Sequence, residues 1–483
     1  MRFKFIFKVF GYLVLIVSLF MIFPIIVAYI YKEVFVAKVF FFTMIFNLCV
    51  SFILIFLFRK VKKNYLSSAD GMFLVSIGWI VISLVSALPY TLSGVVNSFT
   101  DAFFESISGY TTTGATIFTA VEHLPKSILF WRSLTHWLGG MGIVVLTVAI
   151  LPLLGIGGMQ LIKAEAPGPS VDKISPRITT TAKYLWFIYI ALTLAEVLLL
   201  MVGGMNFFDA LNHSFATLAT GGFSVKNESF LSYKNPYYEW VVAIFMILAG
   251  MNFTLHYKLF LGRFEILKKD SEWKFYVALI GLYTFIIGVD LYNSLGLSFH
   301  DSIRSAFFQV ATIITTTGFA SADYEKWSAF SQVLLFALMF VGGCSGSTGG
   351  GIKVIRVLTL LKQAINEMKY LVHPRGVFVL KINGESVRKN TVYAISGFFF
   401  LYMLTNLFII IIISISGVDL TTAVTASLAC VGNIGPGFGA VGPMDNYSSF
   451  SDFTKWTLSF GMLLGRLEIY TFLIIITPYY WKK

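Results

Sequence analysis

Charge is what this chain most conspicuously lacks. Of its 483 residues only 12% are Asp, Glu, Lys or Arg, whereas 57% are hydrophobic and the mean hydropathy is +0.80. A soluble domain would carry about 25% charged residues. The scarcity therefore excludes the roughly three soluble domains that the length would otherwise suggest, and makes lipid the main solvent. Cysteine is rarer still. Cys49, Cys344 and Cys430 lie far apart in apolar or glycine-rich segments, which excludes a disulfide framework and any cysteine-based metal spacing. No convergent His/Asp/Ser set appears either, so an enzyme is not expected. Acidic residues are outnumbered, 24 against 36 basic, for a net charge of +12. Nucleic acid is one partner for such an excess. Short basic loops between membrane spans explain it better, and no nucleic-acid partner is expected.

Long apolar runs are abundant. A helix crossing the hydrocarbon needs about 20 apolar residues. Ten segments qualify: 8–31, 36–58, 70–92, 128–154, 184–205, 238–261, 275–297, 327–361, 391–416 and 453–478. The first begins like a signal peptide, with basic residues before its apolar run. The run exceeds a signal core of about 7–15 residues and no small-x-small cleavage site follows, so it reads as a retained span. The eighth is overlong and holds a glycine cluster, which predicts a break. Every second loop is basic: "RKVKK" after the second span, Lys163, Lys173, Arg177 and Lys183 after the fourth, "YKLFLGRFEILKK" after the sixth, Lys353 to Lys389 after the eighth, and "WKK" at the end. The positive-inside rule then puts both termini in the cytoplasm.

Four polar-apolar segments remain on the outer side, at about 97–120, 206–226, 299–321 and 419–440. They align without gaps as "DAFFESISGYTTTG" (Asp101–Gly114), "DALNHSFATLATGG" (Asp209–Gly222), "SAFFQVATIITTTG" (Ser305–Gly318) and "TAVTASLACVGNIG" (Thr422–Gly435). Position one is Asp, Asp, Ser or Thr, all good N-caps, and position two is always alanine. The glycines recur about every 100 residues, a period that defines four units of helix, half-helix, loop and helix. Each half-helix would aim its C-terminal end, with about half a negative charge, at the membrane middle. Each loop would then return through Thr/Gly-rich backbone, tolerated at that depth only where it is buried in protein or lines water. Four such loops around an axis present carbonyl oxygens that replace the hydration shell of an alkali cation.

At these residues the sequence resembles the Trk/Ktr/HKT superfamily of potassium transport proteins. "TTTGAT", "ATGGFS", "TTTGFA" and "NIGPGFG" look like its four filter loops. "RSLTHWLGGMGI" (Arg132–Ile143), "GGCSGSTGGGIK" (Gly342–Lys353) and "GMLLGRLEIY" (Gly461–Tyr470) look like a repeat-one helix, an intramembrane loop and the last pore helix. Two extra N-terminal spans favour the bacterial Trk branch, with its TrkH/TrkG-type membrane subunits. The implied fold is an all-α polytopic membrane protein with four pseudo-symmetric helix–pore loop–helix repeats around one pore, plus two extra N-terminal transmembrane helices. The repeats would divide the chain as 1–65 for the extra helices, then 66–162, 163–270, 271–390 and 391–483.

The resemblance implies a filter at Thr112, Thr113, Gly114, Thr220, Gly221, Gly222, Thr316, Thr317, Gly318, Asn433, Ile434 and Gly435, with potassium as the ion transported and bound there. In the plant HKT branch a serine at the first glycine position accompanies sodium preference, so Gly114 points to potassium. The fourth loop departs from the pattern: Asn433 and Ile434 precede its glycine and Pro436 follows, so equal coordination by all four loops is not expected. A gate is implied at Gly346, Ser347, Thr348, Gly349, Gly350, Gly351 and Lys353, with Arg466 as a positive barrier in the path. The implied partners are a second copy, in a homodimer, and a cytoplasmic nucleotide-binding regulatory protein (TrkA-like). Localisation would be the bacterial inner membrane.

Several alternatives stay open on the residues alone. Arg466 inside the tenth span faces either a cavity or a salt-bridge partner such as Glu468 or Glu196. The glycines of "VGGCSGSTGGGIK" suggest a phosphate loop, but Ile352 follows Gly351 where lysine is required, so no nucleotide site is expected in this chain. Lys353 and Arg356 would either contact a cytoplasmic partner or anchor the span at the headgroups. Glu196, Asp290 and Asn406 would serve a proton- or sodium-coupled carrier or be satisfied by neighbouring helices. His136 and His256 read as structural.

Overall fold

A computed structural model describes residues 3–61, 67–142 and 178–481. Among them, six helices are long and apolar enough to cross a membrane: Phe3–Ile30, Val34–Leu57, Ala69–Leu92, Lys183–Val202, Ser271–Leu295 and Lys389–Ser414. Their surfaces invert the soluble pattern. Phe42, Phe56 and Val202 face outward, while Glu105, His213 and Gln309 are fully buried. Apolar side chains meet lipid at no cost, and buried polar groups gather where protein supplies partners. The fold is helical and multi-pass; β-structure among the described residues is a two-stranded ribbon, Lys381–Ile382 against Glu385–Ser386.

Two expected spans are not straight. The sixth, predicted over 238–261, is Pro236–Ala249 followed by Phe253–Phe260 at 100°. Asn252 restarts the helix by accepting from the Thr254 N–H at 2.8 Å, as an N-cap does. The tenth, predicted over 453–478, is Asp452–Arg466 followed by Tyr470–Ile476 at 117°. Its turn holds Glu468 and Ile469 at φ 54° and 57°, a conformation costly for a β-branched residue. Hydropathy records how apolar a run is, not its direction, so neither bend shows in the sequence. The eighth span breaks as expected: Ala329–Leu338 ends, the glycine-rich segment follows, and Val354–Val372 begins. Of the fourth, 128–154, the helix Lys126–Gly140 is described and residues beyond 142 lie outside the described part.

The two N-terminal spans pack closely. The Ser51 hydroxyl donates to the Gly11 carbonyl at 2.8 Å, an approach that a small residue permits. Glu33, between them, accepts from the backbone N–H groups of Lys126 and Ser127. It thereby caps the helix Lys126–Gly140 from outside and fixes the hairpin to the rest of the protein.

The four half-helices are Phe99–Tyr110, Phe207–Leu218, Phe299–Ile314 and Leu420–Val431. Their caps are Ser98, Asn206, Ser298 and Asp419 rather than the Asp101, Asp209, Ser305 and Thr422 expected. Asp101, Asp209 and Thr422 stand three residues inside the helix. The third half-helix begins a full turn earlier than the others, and Asp301 holds the corresponding place in it. Acidic and hydroxyl side chains are favoured at both places, so residue type alone does not separate them.

Candidate functional site

The end of each half-helix is built the same way. Thr113 N–H donates to Ser108 O at 2.9 Å, and Gly221, Thr317 and Ile434 donate to Ala216, Thr312 and Ala429 at 2.8 Å. The preceding residues Thr112, Thr220, Thr316 and Asn433 close the inner bond of the pair and have φ of 54°, 54°, 59° and 53°. This is the Schellman ending, with a left-handed residue just past the helix. Glycine or asparagine is usual there. Threonine in three of the four is uncommon and costs about 1–3 kcal/mol each unless the surroundings enforce it. Two residues on, Gly114, Gly222, Gly318 and Gly435 again have positive φ, 79°, 81°, 85° and 96°.

These glycines form a closed cycle. A Cβ on Gly114 would collide with the carbonyl of Gly221, one on Gly222 with that of Thr317, and one on Gly318 with that of Ile434. One on Gly435 would reach the carbonyl of Thr113 at 2.6 Å. Every loop thus touches the next at the same position, and the fourth returns to the first. All four glycines line one cavity of about 80 Å3. A separate cavity of about 570 Å3 lies near the ribbon, touches the glycine-rich segment at Ser345, and contains none of the filter residues.

Side chains differ around the ring. In loops one and three, Thr111 and Thr113 lie 2.8 Å apart and Thr315 and Thr317 lie 2.7 Å apart, hydroxyl to hydroxyl. In loop four, Asn433 Nδ2 donates to Thr113 Oγ1 at 2.9 Å and to Met462 O at 3.0 Å. Tyr447 donates its hydroxyl to Gly435 O at 2.7 Å.

The glycine-rich segment lies against the inner ends of these loops. Gly350 N–H donates to Thr316 Oγ1 at 2.7 Å, and Thr348 Oγ1 donates to Leu218 O at 3.0 Å. Lys353 Nζ bonds Gly349 O within the segment. A Cβ on Gly350 would strike Gly432 O. Gly346 and Gly351 take φ of 71° and 63°, while the Ser347 hydroxyl donates to Cys344 O at 2.6 Å. Arg466 closes the arrangement. Its Nη1 donates to Thr112 Oγ1 at 3.1 Å and Thr348 O at 2.7 Å, and its Nη2 to Gly139 O at 2.7 Å. One guanidinium therefore joins the first filter loop, the glycine-rich segment and the helix Lys126–Gly140.

The other candidate residues divide between expected and unexpected partners. Glu468 is paired with Arg356, which also stacks over Phe398 at 4.1 Å. Lys353 and Arg356 are both buried, so they neither anchor at headgroups nor face a cytoplasmic partner. Asp290 accepts from the hydroxyls of Ser328 and Ser331, and Asn406 Oδ1 from that of Ser427. His136 Nδ1 donates to Gly109 O at 2.8 Å and His256 Nε2 to Leu248 O at 2.8 Å, so both serve as helix ties. Among the described residues no three His, Cys, Asp or Glu side chains converge on a metal-sized site.

Sequence reasoning missed two sets. Glu272 accepts from the N–H groups of Ser345 at 2.7 Å and Ile355 at 3.0 Å, clasping both ends of the glycine-rich segment. Glu105 and Arg132 form an ion pair of 2.7 Å with exposures of 0% and 2%. A polar fifth position in three of the four aligned segments was the available signal for the second set.

The cation-transport family model for TrkH matches residues 36–483. The chain belongs to the TrkH family. Among relatives, the Trk system potassium uptake protein TrkH of Escherichia coli (strain K12) is 42% identical over 491 residues, covering 100% of both chains. TrkG of the same organism is 37% identical over 478 residues, covering 98% of this chain and 97% of its own. The crystal structure of the potassium transporter TrkH from Vibrio parahaemolyticus superposes with a TM-score of 0.90 at 37% identity, covering 100% of both chains. The TrkH-family chain thus shares its architecture with a solved relative.

Proposed function

We propose that this protein takes up potassium through a single gated, channel-like pore whose filter is a ring of backbone carbonyls. The observation that carries the reading is the cycle of contacts among Gly114, Gly222, Gly318 and Gly435 around one cavity. Carbonyl dipoles and four helix C-termini favour a cation, and a ring without carboxylates holds it weakly enough to leave. The relatives are named for potassium uptake, which agrees with glycine at position 114. The filter residues are those at 112–114, 220–222, 316–318 and 433–435, in repeats divided at about residues 65, 162, 270 and 390. Both termini are cytoplasmic and the membrane is the bacterial inner membrane.

The gate is the segment Gly346–Lys353 together with Arg466. In the arrangement described, the segment and the guanidinium lie under the loops, where a fixed positive charge raises the barrier to a cation. Opening requires the bonds from Arg466 to Thr348 and from Gly350 to Thr316 to yield. The protein acts as a homodimer with a cytoplasmic nucleotide-binding regulatory protein that supplies the opening signal. A proton- or sodium-coupled carrier is the second reading. Asp290 and Asn406 are already satisfied, so it rests on Glu196, fully buried on the helix Ile178–Val202.

Purified protein in vesicles, with and without the regulatory partner, tests the proposal. Potassium and rubidium should enter faster than sodium, and flux should follow imposed voltage without a pH gradient. Equal sodium and potassium flux refutes the filter. Flux that requires a proton or sodium gradient refutes the channel in favour of the carrier.

A further inference from the structure

Each half-helix carries, about halfway along, a buried polar side chain that reaches the outgoing limb of its own loop. In the aligned segments position five is Glu105, His213 and Gln309, and in the fourth segment Thr425 stands one place earlier. Glu105 Oε2 accepts from Ile117 N–H at 3.0 Å. Gln309, with its amide oriented by the donors that face it, accepts from Ser321 N–H at 2.9 Å and Ala322 N–H at 3.2 Å. Thr425 Oγ1 accepts from Phe438 N–H at 3.0 Å. Ile117, Ser321 and Phe438 all lie three residues beyond the filter glycine. His213 donates from Nδ1 to Asp209 O at 2.8 Å, which leaves Nε2 to accept from the Ser224 hydroxyl at 3.0 Å, two residues beyond Gly222.

We infer that Glu105, His213, Gln309 and Thr425 are positioning residues that hold the outer limb of the filter and so set its discrimination between cations; the inference rests on the filter reading above. Three different chemistries — carboxylate, amide and hydroxyl — meet the same backbone N–H, and the imidazole meets a side-chain hydroxyl one residue earlier. Chance packing would not place an acceptor against the same backbone N–H in three quadrants. The side chains are 0%, 0%, 0% and 3% exposed, so water cannot stand in for a lost partner, and an orphaned N–H shifts the limb.

The first quadrant goes further. Arg132 Nε bonds Glu105 Oε1 at 2.7 Å, Nη2 donates to Thr116 Oγ1 at 3.1 Å, and Nη1 donates to Ser224 O at 3.2 Å. Its guanidinium also stacks on Phe223 at 4.2 Å. The charged pair therefore ties the limb of loop one to that of loop two. A buried ion pair is seldom a net source of stability, yet removing one partner is costly. Its worth here is geometric, as it fixes two neighbouring limbs relative to each other.

The test uses the full chain in vesicles and reads the potassium-to-sodium flux ratio beside total potassium flux. Thr425→Val and Gln309→Leu keep size and lose the acceptor. Each should lower the ratio by about tenfold, the scale of one buried hydrogen bond, while potassium flux persists. Thr425→Ser should restore it. Glu105→Gln, which offers the amide used in the third quadrant, should keep a higher ratio than Glu105→Ala. A selective wild type whose Thr425→Val and Gln309→Leu variants keep its ratio overturns the positioning role alone. A wild-type ratio near one overturns the filter and the positioning role together. A ratio that falls only in step with the amount of folded protein also overturns the positioning role.

Discussion

The first and fourth loops follow one backbone path with different side chains. Thr112 and Asn433 take nearly the same φ, 54° and 53°, and both loops end on a glycine at positive φ. Loop one reads Thr-Thr-Thr-Gly and bonds within itself, hydroxyl to hydroxyl. Loop four reads Gly-Asn-Ile-Gly and bonds outward, to Thr113 and Met462. Asparagine adopts the left-handed turn readily and threonine does not, so loop one needs its surroundings to enforce what loop four adopts locally. The ring therefore demands a backbone shape, and several sequences meet it. Where the fourth loop differs, it differs in its anchorage and in slightly more room at the step from Gly435 to Thr113.

The largest expected effect tests whether the two loops are equal members of the ring. Gly114→Ala and Gly435→Ala should both abolish potassium uptake, because either Cβ meets a neighbouring carbonyl and each residue holds positive φ. Rubidium uptake into vesicles measures this, and survival of Gly435→Ala alone would place the fourth loop outside the ring. Next comes Arg466→Ala. Arg466 bonds loop one through Thr112 and the glycine-rich segment through Thr348, so its removal should free that side of the path. Potassium flux should rise by about tenfold, equivalent to about 1.4 kcal/mol off the barrier; unchanged or lower flux in folded protein contradicts the gate.

A smaller effect separates shape from anchorage. Asn433→Gly keeps the left-handed turn and deletes the amide, at an expected cost of about 1–2 kcal/mol from lost hydrogen bonds. Asn433→Ala adds backbone strain of about 1 kcal/mol. Thermal unfolding in detergent should rank wild type above Asn433→Gly above Asn433→Ala. The smallest effect lies at the caps. Hydrogen bonds from Thr422 hold the exposed Asp419 carboxyl below the usual carboxylate range. A lowered group stabilises the fold above its unfolded value of about 3.9 and loses that contribution as pH falls through the folded value. Ser98 has no charge to lose. Acid unfolding below about pH 4 should therefore flatten in Asp419→Ser and keep its shape in Ser98→Asn.

Much of this was legible because it is local. The half-helices, the glycines that follow them and the break in the eighth span each arise within a dozen residues. The caps were misplaced because an acid in the first turn and an acid at the cap serve the same dipole. The partner of Arg466 was not legible, since Gly139 and Thr348 lie 327 and 118 residues away. Nor was the exchange that gives Glu468 to Arg356, across 112 residues.

The sequence by itself determined a lipid-dissolved helical chain with four repeated half-helices, because composition and period act residue by residue. It also placed a glycine in each loop, where backbone turns left-handed at little cost, whereas the same turn at Thr112, Thr220 and Thr316 is not stated by residue type. Only the tertiary structure decided that the four turns close into one cycle, that the bends after Ala249 and Arg466 redirect two spans, and that one guanidinium sits under the first loop. Those outcomes depend on which distant groups reach each other once the helices pack, and a buried polar group takes whichever partner packing brings within about 3 Å.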